Sequence, residues 1–156
     1  MLVGLDGSAR APTVFRASID LARQLDARVV LFRAVDIPPE FPAAAAMHRA
    51  DALGPKLMFD ARDELSSLVD VASAHGVEAT FHVIASTEAW RAIIDTADTL
   101  RVDAIVVGSH GYDVVDRMLG TNAARVADRA HCLVIVVHAA LPSVDPSKSG
   151  PYRATR

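Results

Sequence analysis

Short apolar runs alternate with amphipathic helical patterns along most of this chain. Branched apolar residues dominate five runs, which predict strands at Leu2–Leu5, Val29–Val35, Phe81–Ile84, Ala104–Val107 and Leu133–Val137. Apolar positions spaced three and four residues apart predict helices at Thr13–Leu25, from about Pro55 to Ala74, and from near Thr87 through Leu100. The predicted buried stripe of the last of these helices consists of Trp90, Ile93, Ile94, Ala97 and Leu100. Strands that alternate with helices indicate a parallel sheet covered on both faces. The simplest topology with right-handed crossovers is a doubly wound α/β domain with strand order 3-2-1-4-5.

Two segments fall outside these regular units. The connection Ile37–Leu53 contains three prolines and a run of alanines, and we weigh a lid over a bound ligand against an irregular loop. The tail 141–156 contains three prolines, a glycine and several serines, which predicts disorder. We therefore expect one folded domain over residues 1–140, followed by this tail.

Composition narrows the class of protein. At 156 residues, with 51% hydrophobic and 22% charged residues, the chain fits one globular domain. A net charge of −3 without a Lys/Arg cluster argues against a nucleic-acid partner. No apolar run reaches the roughly 20 residues that span a bilayer. A single cysteine, Cys132, and an N-terminus without a signal-peptide pattern predict a reducing, cytoplasmic setting.

Two glycine-bearing turns carry the most specific chemical signal. The apolar run at 104–107 leads into Gly108-Ser109-His110-Gly111, and Gly120-Thr121-Asn122 follows eight residues later and opens a helix. Glycine permits a positive φ and a close approach of a ligand to the backbone. We expect Thr121 or Asn122 to cap this helix, whose first turn contains no carboxylate. The helix near Thr87 differs, because Glu88 is available to its own N-terminus. The sequence therefore predicts an anion site, suited to nucleotide phosphate, at the later helix.

The predicted topology brings this signal next to a second turn. In the order 3-2-1-4-5 the direction in which strands are added to the sheet reverses between strands 1 and 4, and open α/β sheets bind ligands at that switch. The turn Asp6-Gly7-Ser8 follows strand 1, and Gly108-Ser109 follows strand 4. We expect both turns to face the same crevice.

The glycine spacing resembles the ATP-binding signature of the universal stress protein family, G-x2-G-x9-G-[S/T]. Gly108 and Gly111 match the first pair and Gly120-Thr121 the last, with a spacer of eight residues in place of nine. The family's first, second and last strands resemble residues 2–8, 28–36 and 132–138 of this chain. In the family a Gly-x-Pro turn often follows the third strand, and here a different sequence stands in that place. The resemblance implies the same 3-2-1-4-5 order, ATP as ligand with Mg²⁺ held by its phosphates, and a homodimer paired through the last strand, Leu133–Val137.

The candidate ligand-binding residues follow from the turns and from the resemblance. They are Gly4, Asp6, Ala34, Gly108, Ser109, His110, Gly111, Gly120, Thr121 and Asn122. The resemblance implies that the backbones of Gly4 and Ala34 lie near adenine and that Asp6 orients the nucleotide or its metal. The alternatives are that Asp6 closes its own turn, that Thr121 is a simple cap and that His110 faces solvent.

Other reactive side chains receive structural interpretations. Arg117, in the spacer, is either a phosphate contact or a surface arginine. Cys132 precedes an apolar strand and is interpreted as a small packed residue. The histidines show no paired metal spacing, so we predict no protein-held metal site.

Three functions remain open from sequence. The first is a universal-stress-type ATP-binding regulator, in which the nucleotide is a conformational ligand. The second is a slow ATPase or nucleotidyl-transfer enzyme, which is disfavoured because the chain has no G-x4-G-K-[ST] loop and its lysines are Lys56 and Lys148 alone. The third is a nucleotide-free interaction module. Fold alone does not choose among them.

Overall fold

Five parallel strands form one sheet in the order β3-β2-β1-β4-β5, which confirms the predicted topology. The computed structural model describes residues 1–36, 51–109 and 120–138, with the side chains of 51–53 excepted. The elements are β1 (Leu2–Gly4), α1 (Ala11–Leu25), β2 (Val29–Val35), α2 (Asp51–Ala74), β3 (Ala79–Ala85), α3 (Ala89–Leu100), β4 (Ala104–Gly108), α4 (Thr121–Arg129) and β5 (Leu133–Val137). Most of the Ile37–Leu53 connection, the 112–119 spacer and the 141–156 tail lie outside the described residues, so their roles stay predictions.

Helix boundaries differ from the predicted ones near two prolines. Helix α1 begins at Ala11, because Pro12 suits a first turn, where the missing N–H needs no partner. Helix α2 begins at Asp51 and includes Pro55. The carbonyl with which Pro55 interferes belongs to Asp51, the first helical residue, so the proline disrupts no earlier turn.

Two hydrophobic cores cover the two faces of the sheet. On one face α1 and α2 pack Val14 and Leu65 into a cluster with Val3. On the other face α3 and α4 contribute Ile93 and Val126 to a cluster with Leu2. Successive strand residues point to opposite faces, so neighbouring residues of the short strand β1 belong to different cores. Burial on both faces explains why the strands read as continuous apolar runs.

The charge inside β2 is buried and paired. Arg33 is 8% exposed, and its two terminal nitrogens donate to the Glu64 carboxylate of α2 at 2.6 and 2.9 Å. Its Nε donates to the Leu5 carbonyl oxygen at 3.2 Å. The hydrogen bonds from Arg33 hold the pKa of Glu64 below its ordinary value of 4.5. This bidentate pair satisfies a charge that burial alone would strongly disfavour.

The end of α2 follows the prediction, whereas the predicted stripe of α3 is only partly buried. Helix α2 ends at Ala74, and Gly76 follows with φ +77°, as expected for a glycine stop. In α3, Ile93, Ile94 and Ala97 are buried. Trp90 is half-buried, and Leu100, which we placed in the buried stripe, is 46% exposed.

The last strand is an edge of the sheet. β5 pairs with β4 along its whole length, and Leu133 is 63% exposed while the other strand residues are half-buried. Cys132, just before β5, packs partly against the core, and burial is the main cause that raises the pKa of its thiol. A raised pKa keeps the thiol protonated and unreactive, in agreement with its structural interpretation.

None of the helices within the described ranges is long and apolar enough to cross a membrane.

Candidate nucleotide site

A cavity of about 490 Å³ opens at the carboxyl ends of β1, β2 and β4. Its walls come from the turns after β1 and β4 and from the first turns of α1, α3 and α4. The position is the switch between β1 and β4, where crossovers leave in opposite directions and open a crevice. The volume lies within the range of small-molecule sites.

The turn after β1 is closed by its own side chain. Leu5 donates its N–H to the Phe32 carbonyl oxygen at 2.9 Å, which continues the ladder one residue beyond β1. Asp6 Oδ1 then accepts the Ser8 N–H at 2.9 Å, while Gly7 takes the positive φ of +74° that the reversal requires. The Asp6 carboxylate therefore closes the turn, as in the alternative interpretation, and it also lines the cavity.

The turn after β4 is tied to its neighbours by short backbone bonds. Ser109 donates its N–H to the Val137 carbonyl oxygen at 2.9 Å, and Gly120 donates its N–H to the Ser109 carbonyl oxygen at 2.6 Å. The two ends of the 110–119 segment are thereby held side by side. Ser109 is 2% exposed and lines the cavity together with Gly108.

The N-terminus of α4 opens into this cavity. Gly120 is the N-cap, with φ −57° and ψ 149°, and no side chain caps the helix. The prediction that Thr121 or Asn122 would be the cap is wrong, because the helix already begins at Thr121. The first turn of this helix contains no acidic residue. Its leading N–H groups and helix dipole therefore favour an anion at the residues 120–123 that line the cavity.

The glycines of the motif act differently from the prediction. Gly108 is the last residue of β4, and Gly120 has a negative φ, so neither supplies the positive φ that we expected. Of the described glycines, Gly7 and Gly76 have positive φ. The other part of the expectation, a close approach of a ligand to the backbone at Gly108 and Gly120, stays a prediction.

Close packing explains the glycine in β1. A Cβ at Gly4 would lie 3.3 Å from Val107 Cγ1 and 3.4 Å from Ile93 Cδ1. Gly4 pairs with Val107 of β4, so a side chain there would push against both β4 and α3. Gly4 thus lets the sheet and α3 meet at the floor of the cavity.

Most candidate residues line one cavity. These are Gly4, Asp6, Ala34, Gly108, Ser109, Gly120, Thr121 and Asn122. His110, Gly111 and Arg117 lie outside the described residues, and their roles stay predictions.

Several lining residues were missed by sequence reasoning, and three of them, Phe32, Asp36 and Arg10, bear on what the cavity can bind. Phe32 lies on the same face of β2 as Ala34, Asp36 continues this spacing of two just beyond the strand, and all three line the cavity. That spacing is the signal that could have found them. Arg10 is 8% exposed and is the cation among the described lining residues. Nothing in the sequence around Arg10 distinguishes it from a surface arginine.

Arg125 of α4 packs on Trp90, away from the described lining of the cavity. Its guanidinium lies 5.5 Å from the centroid of the Trp90 ring, and that of Arg129 lies 4.9 Å from it. These cation–π contacts join α4 to α3 and orient α4 from its outer side. Arg125 does not belong to the described lining of the cavity.

The described residues provide no cluster of three or more His, Cys, Asp or Glu side chains suited to a metal ion. The carboxylates that line the cavity are Asp6 and Asp36. Mg²⁺ commonly keeps several waters and is held by substrate phosphates with one or two carboxylates. This donor set fits a metal that arrives with a phosphate ligand.

The fold and the crevice define a doubly wound α/β protein with a cavity at the topological switch. The profile of the universal stress protein family matches residues 1–138. The chain belongs to the universal stress protein family.

Individual relatives agree with this assignment. A universal stress protein of Methanocaldococcus jannaschii is 28% identical over 138 residues, which cover 88% of this chain and 80% of the relative. The structure of UspA from Lactobacillus plantarum superposes with a TM-score of 0.77 at 22% identity, covering 87% of this chain and 94% of that one. An Archaeoglobus fulgidus universal stress protein in complex with dAMP has a TM-score of 0.61 at 23% identity, covering 86% and 94%.

We expect Gly4→Val to destabilise the fold by about 1–3 kcal/mol, because the added methyl groups would overpack the contact with Val107 and Ile93. Urea denaturation measures this change. Gly4→Ala should cost less, since the Cβ meets the ends of two side chains that can shift slightly. Gly4→Val that unfolds at the wild-type midpoint would contradict the packing argument.

Proposed function

We propose that this protein binds ATP as a regulatory ligand, with the triphosphate at the N-terminus of α4. The observation that carries the proposal is the start of α4, which opens into the switch-point cavity and has neither a side-chain cap nor an acidic residue. An adenine nucleotide supplies the anion that such a helix end stabilises. The Archaeoglobus fulgidus relative in complex with dAMP supports an adenine nucleotide at family level.

The cavity divides into regions that suit the parts of a nucleotide. The first turn of α4 offers backbone N–H groups and the Thr121 hydroxyl to phosphate, next to Gly108 and Ser109. On the β2 side, Phe32 and Ala34 offer apolar surface to a base. Two strand spacings separate β4 from β2, about 10 Å, which is the scale of a nucleotide from phosphate to base. We therefore propose that the nucleotide lies across β1, with its phosphates toward α4.

Each candidate side chain then has a role. Asp6, which already closes its turn, orients the ribose or a phosphate-bound Mg²⁺ through its cavity-lining carboxylate. Gly4 and Ala34 present their backbones to the base, as the family resemblance implies. Ser109, Thr121 and Asn122 contact phosphate, and His110 and Gly111 complete the phosphate turn.

A carboxylate placed at the start of α4 tests the phosphate position. Asn122→Asp should raise the dissociation constant for ATP about fivefold or more, because the new charge competes with phosphate for the helix dipole. The same change should leave stability unchanged or raise it by about 0.3–1 kcal/mol. Calorimetric titration and urea denaturation measure the two effects separately.

The matched control is Asn122→Ser, which keeps a short polar side chain without charge and should bind ATP much as the wild type does. If Asn122→Asp and the wild type bind ATP with equal affinity, the phosphates do not bind at this helix. A wild-type protein that binds neither ATP, ADP nor AMP at millimolar concentration would overturn the proposed function as a whole.

We propose that the bound nucleotide acts by conformation and not by turnover. Fast phosphoryl transfer needs positioned cations around the reacting phosphate. Among the described residues that line the cavity, Arg10 is the one cation, while Arg125 packs on Trp90. A ligand regulates when it favours one conformation over another, and the Ile37–Leu53 connection leads directly from β2 at the cavity into α2.

ATP should therefore protect the Ile37–Leu53 connection from limited proteolysis, while phosphate release stays near the rate without protein. The Asn122→Asp variant, which we expect to bind ATP weakly, should lose this protection at the same ATP concentration. Steady hydrolysis at about one turnover per second or faster, lost in Asp6→Ala, would replace this proposal with an ATPase.

We also propose a homodimer through β5. The strand is an apolar edge without proline or charge, and an uncovered edge of this kind pairs readily with a second chain. Antiparallel pairing of two copies would cover both edges at once, in agreement with the symmetry that most oligomers adopt.

Analytical ultracentrifugation at tens of micromolar should show a dimer. Leu133→Lys should shift it toward monomer with little loss of stability, because Leu133 is 63% exposed in the single chain. Ile135→Lys should also dissociate the dimer, but Ile135 packs partly against the core, so its unfolding must be measured in parallel. Wild-type protein that sediments as a monomer would rule out the β5 pairing.

We propose the cytoplasm as its compartment. The single cysteine, Cys132, is a free thiol that forms no disulfide within the chain, and this suits a reducing environment.

A further inference from the structure

One buried side chain connects the turn after β1 to helix α2. β1 ends at Gly4, and Leu5 is the first residue beyond it. The Leu5 N–H is bonded to the Phe32 carbonyl oxygen, and the Leu5 carbonyl oxygen accepts from Arg33 Nε. Both backbone groups of Leu5 are therefore held from β2, one by its main chain and one by a side chain.

Two further hydrogen bonds fix the rest of the turn, in the residues that follow Leu5. Asp6 accepts the Ser8 N–H through Oδ1, and the Ser8 carbonyl oxygen accepts the Ala11 N–H at 3.0 Å, where α1 begins. Asp6 and Ser8 both line the cavity. The position of these two residues thus depends on where the Leu5 carbonyl is held.

Glu64 fixes the other end of Arg33. Its two carboxylate oxygens accept from both terminal nitrogens of the guanidinium, a planar fork that allows little rotation. Glu64 belongs to α2, the helix that directly follows the Ile37–Leu53 connection. A displacement of α2 would therefore be transmitted through Glu64 and Arg33 to the Leu5 carbonyl.

We propose that Arg33 is a positioning residue of the nucleotide site, which holds the Asp6–Ser8 turn in its ligand-accepting geometry and, through Glu64, couples that turn to α2. This inference rests on the proposed function for the identity of the ligand. Coupling between two parts of a protein is reciprocal, so occupancy of the cavity and the position of α2 influence each other through this pair. The Arg33 side chain itself is not needed for contact with the nucleotide.

The test uses a double variant, Arg33→Met with Glu64→Gln, which removes the link without leaving one charge buried and unpaired. Two properties are measured: the dissociation constant for ATP by calorimetry, and amide hydrogen exchange of Ser8 in the ligand-free protein. Dividing the Ser8 exchange rate by that of the β4 amides separates local opening of the turn from global unfolding.

We expect the double variant to raise the ATP dissociation constant about fivefold or more and to increase the Ser8-to-β4 exchange ratio by a similar factor. Arg33→Lys, which keeps the charge but not the planar fork, should shift both in the same direction by less. It also serves as the test if the double variant does not fold.

Two controls separate positioning from stability. Gly76→Ala should destabilise the protein through its positive φ, but it is remote from the cavity lining and should leave ATP affinity and the exchange ratio unchanged. Asp60→Asn removes the exposed Lys56–Asp60 pair of the same helix and should change neither. A residue that acts only through stability would behave like Gly76→Ala.

The outcomes distinguish this proposal from the nucleotide proposal. Wild-type ATP affinity together with a wild-type exchange ratio in the double variant would overturn the role of Arg33 and leave the nucleotide site standing. A wild-type protein without ATP affinity would overturn the nucleotide site. In that case an unchanged exchange ratio would also overturn the hold of Arg33 on the turn, and an increased ratio would support that hold.

Discussion

Burial of β1 on both faces is the constraint on which the rest of this structure depends. The strand is three residues long and lies between β2 and β4, so its two consecutive apolar residues must fill two different cores. Leu2 and Val3 are both fully buried, one in each. Because α1 must then cover one face and α3 and α4 the other, the crossovers diverge at β1. The cavity is a direct consequence, since diverging crossovers leave the carboxyl end of this strand uncovered.

The sequence was sufficient for the fold because local pattern and topology point to the same answer. Continuous runs such as Val29–Val35 suit a strand buried on both sides, and the crossover rule then selects the strand order. Boundaries were less predictable where a proline is compatible with more than one helical position, as at Pro55. Leu100 was predicted buried by its helical spacing, but spacing carries no information about whether a neighbouring element reaches the last turn of α3.

The site was partly predictable for a related reason. Glycine turns and an acid-free helix start are local properties, so residues 108–109 and 120–122 could be identified from their own neighbourhood. Arg10 could not, because its place in the cavity arises only when the start of α1 and the end of β2 line the same space. The role of Arg33 could not be predicted from the sequence either. An arginine within an apolar strand signals a buried partner, but the sequence does not say that the partners are Glu64 and the Leu5 carbonyl.

The two backbone bonds at Ser109 have a consequence for how this chain can vary. Ser109 is held by Val137, and Gly120 is held by Ser109, so the ten intervening residues leave and rejoin the domain at one anchored point. A segment closed in this way can gain or lose a residue at small entropic cost, since closure depends only weakly on length. The spacer of eight residues, one shorter than the family pattern, is such a change. Evolution can therefore change the length and sequence of this segment while the sheet and its two anchoring residues, Ser109 and Gly120, stay the same.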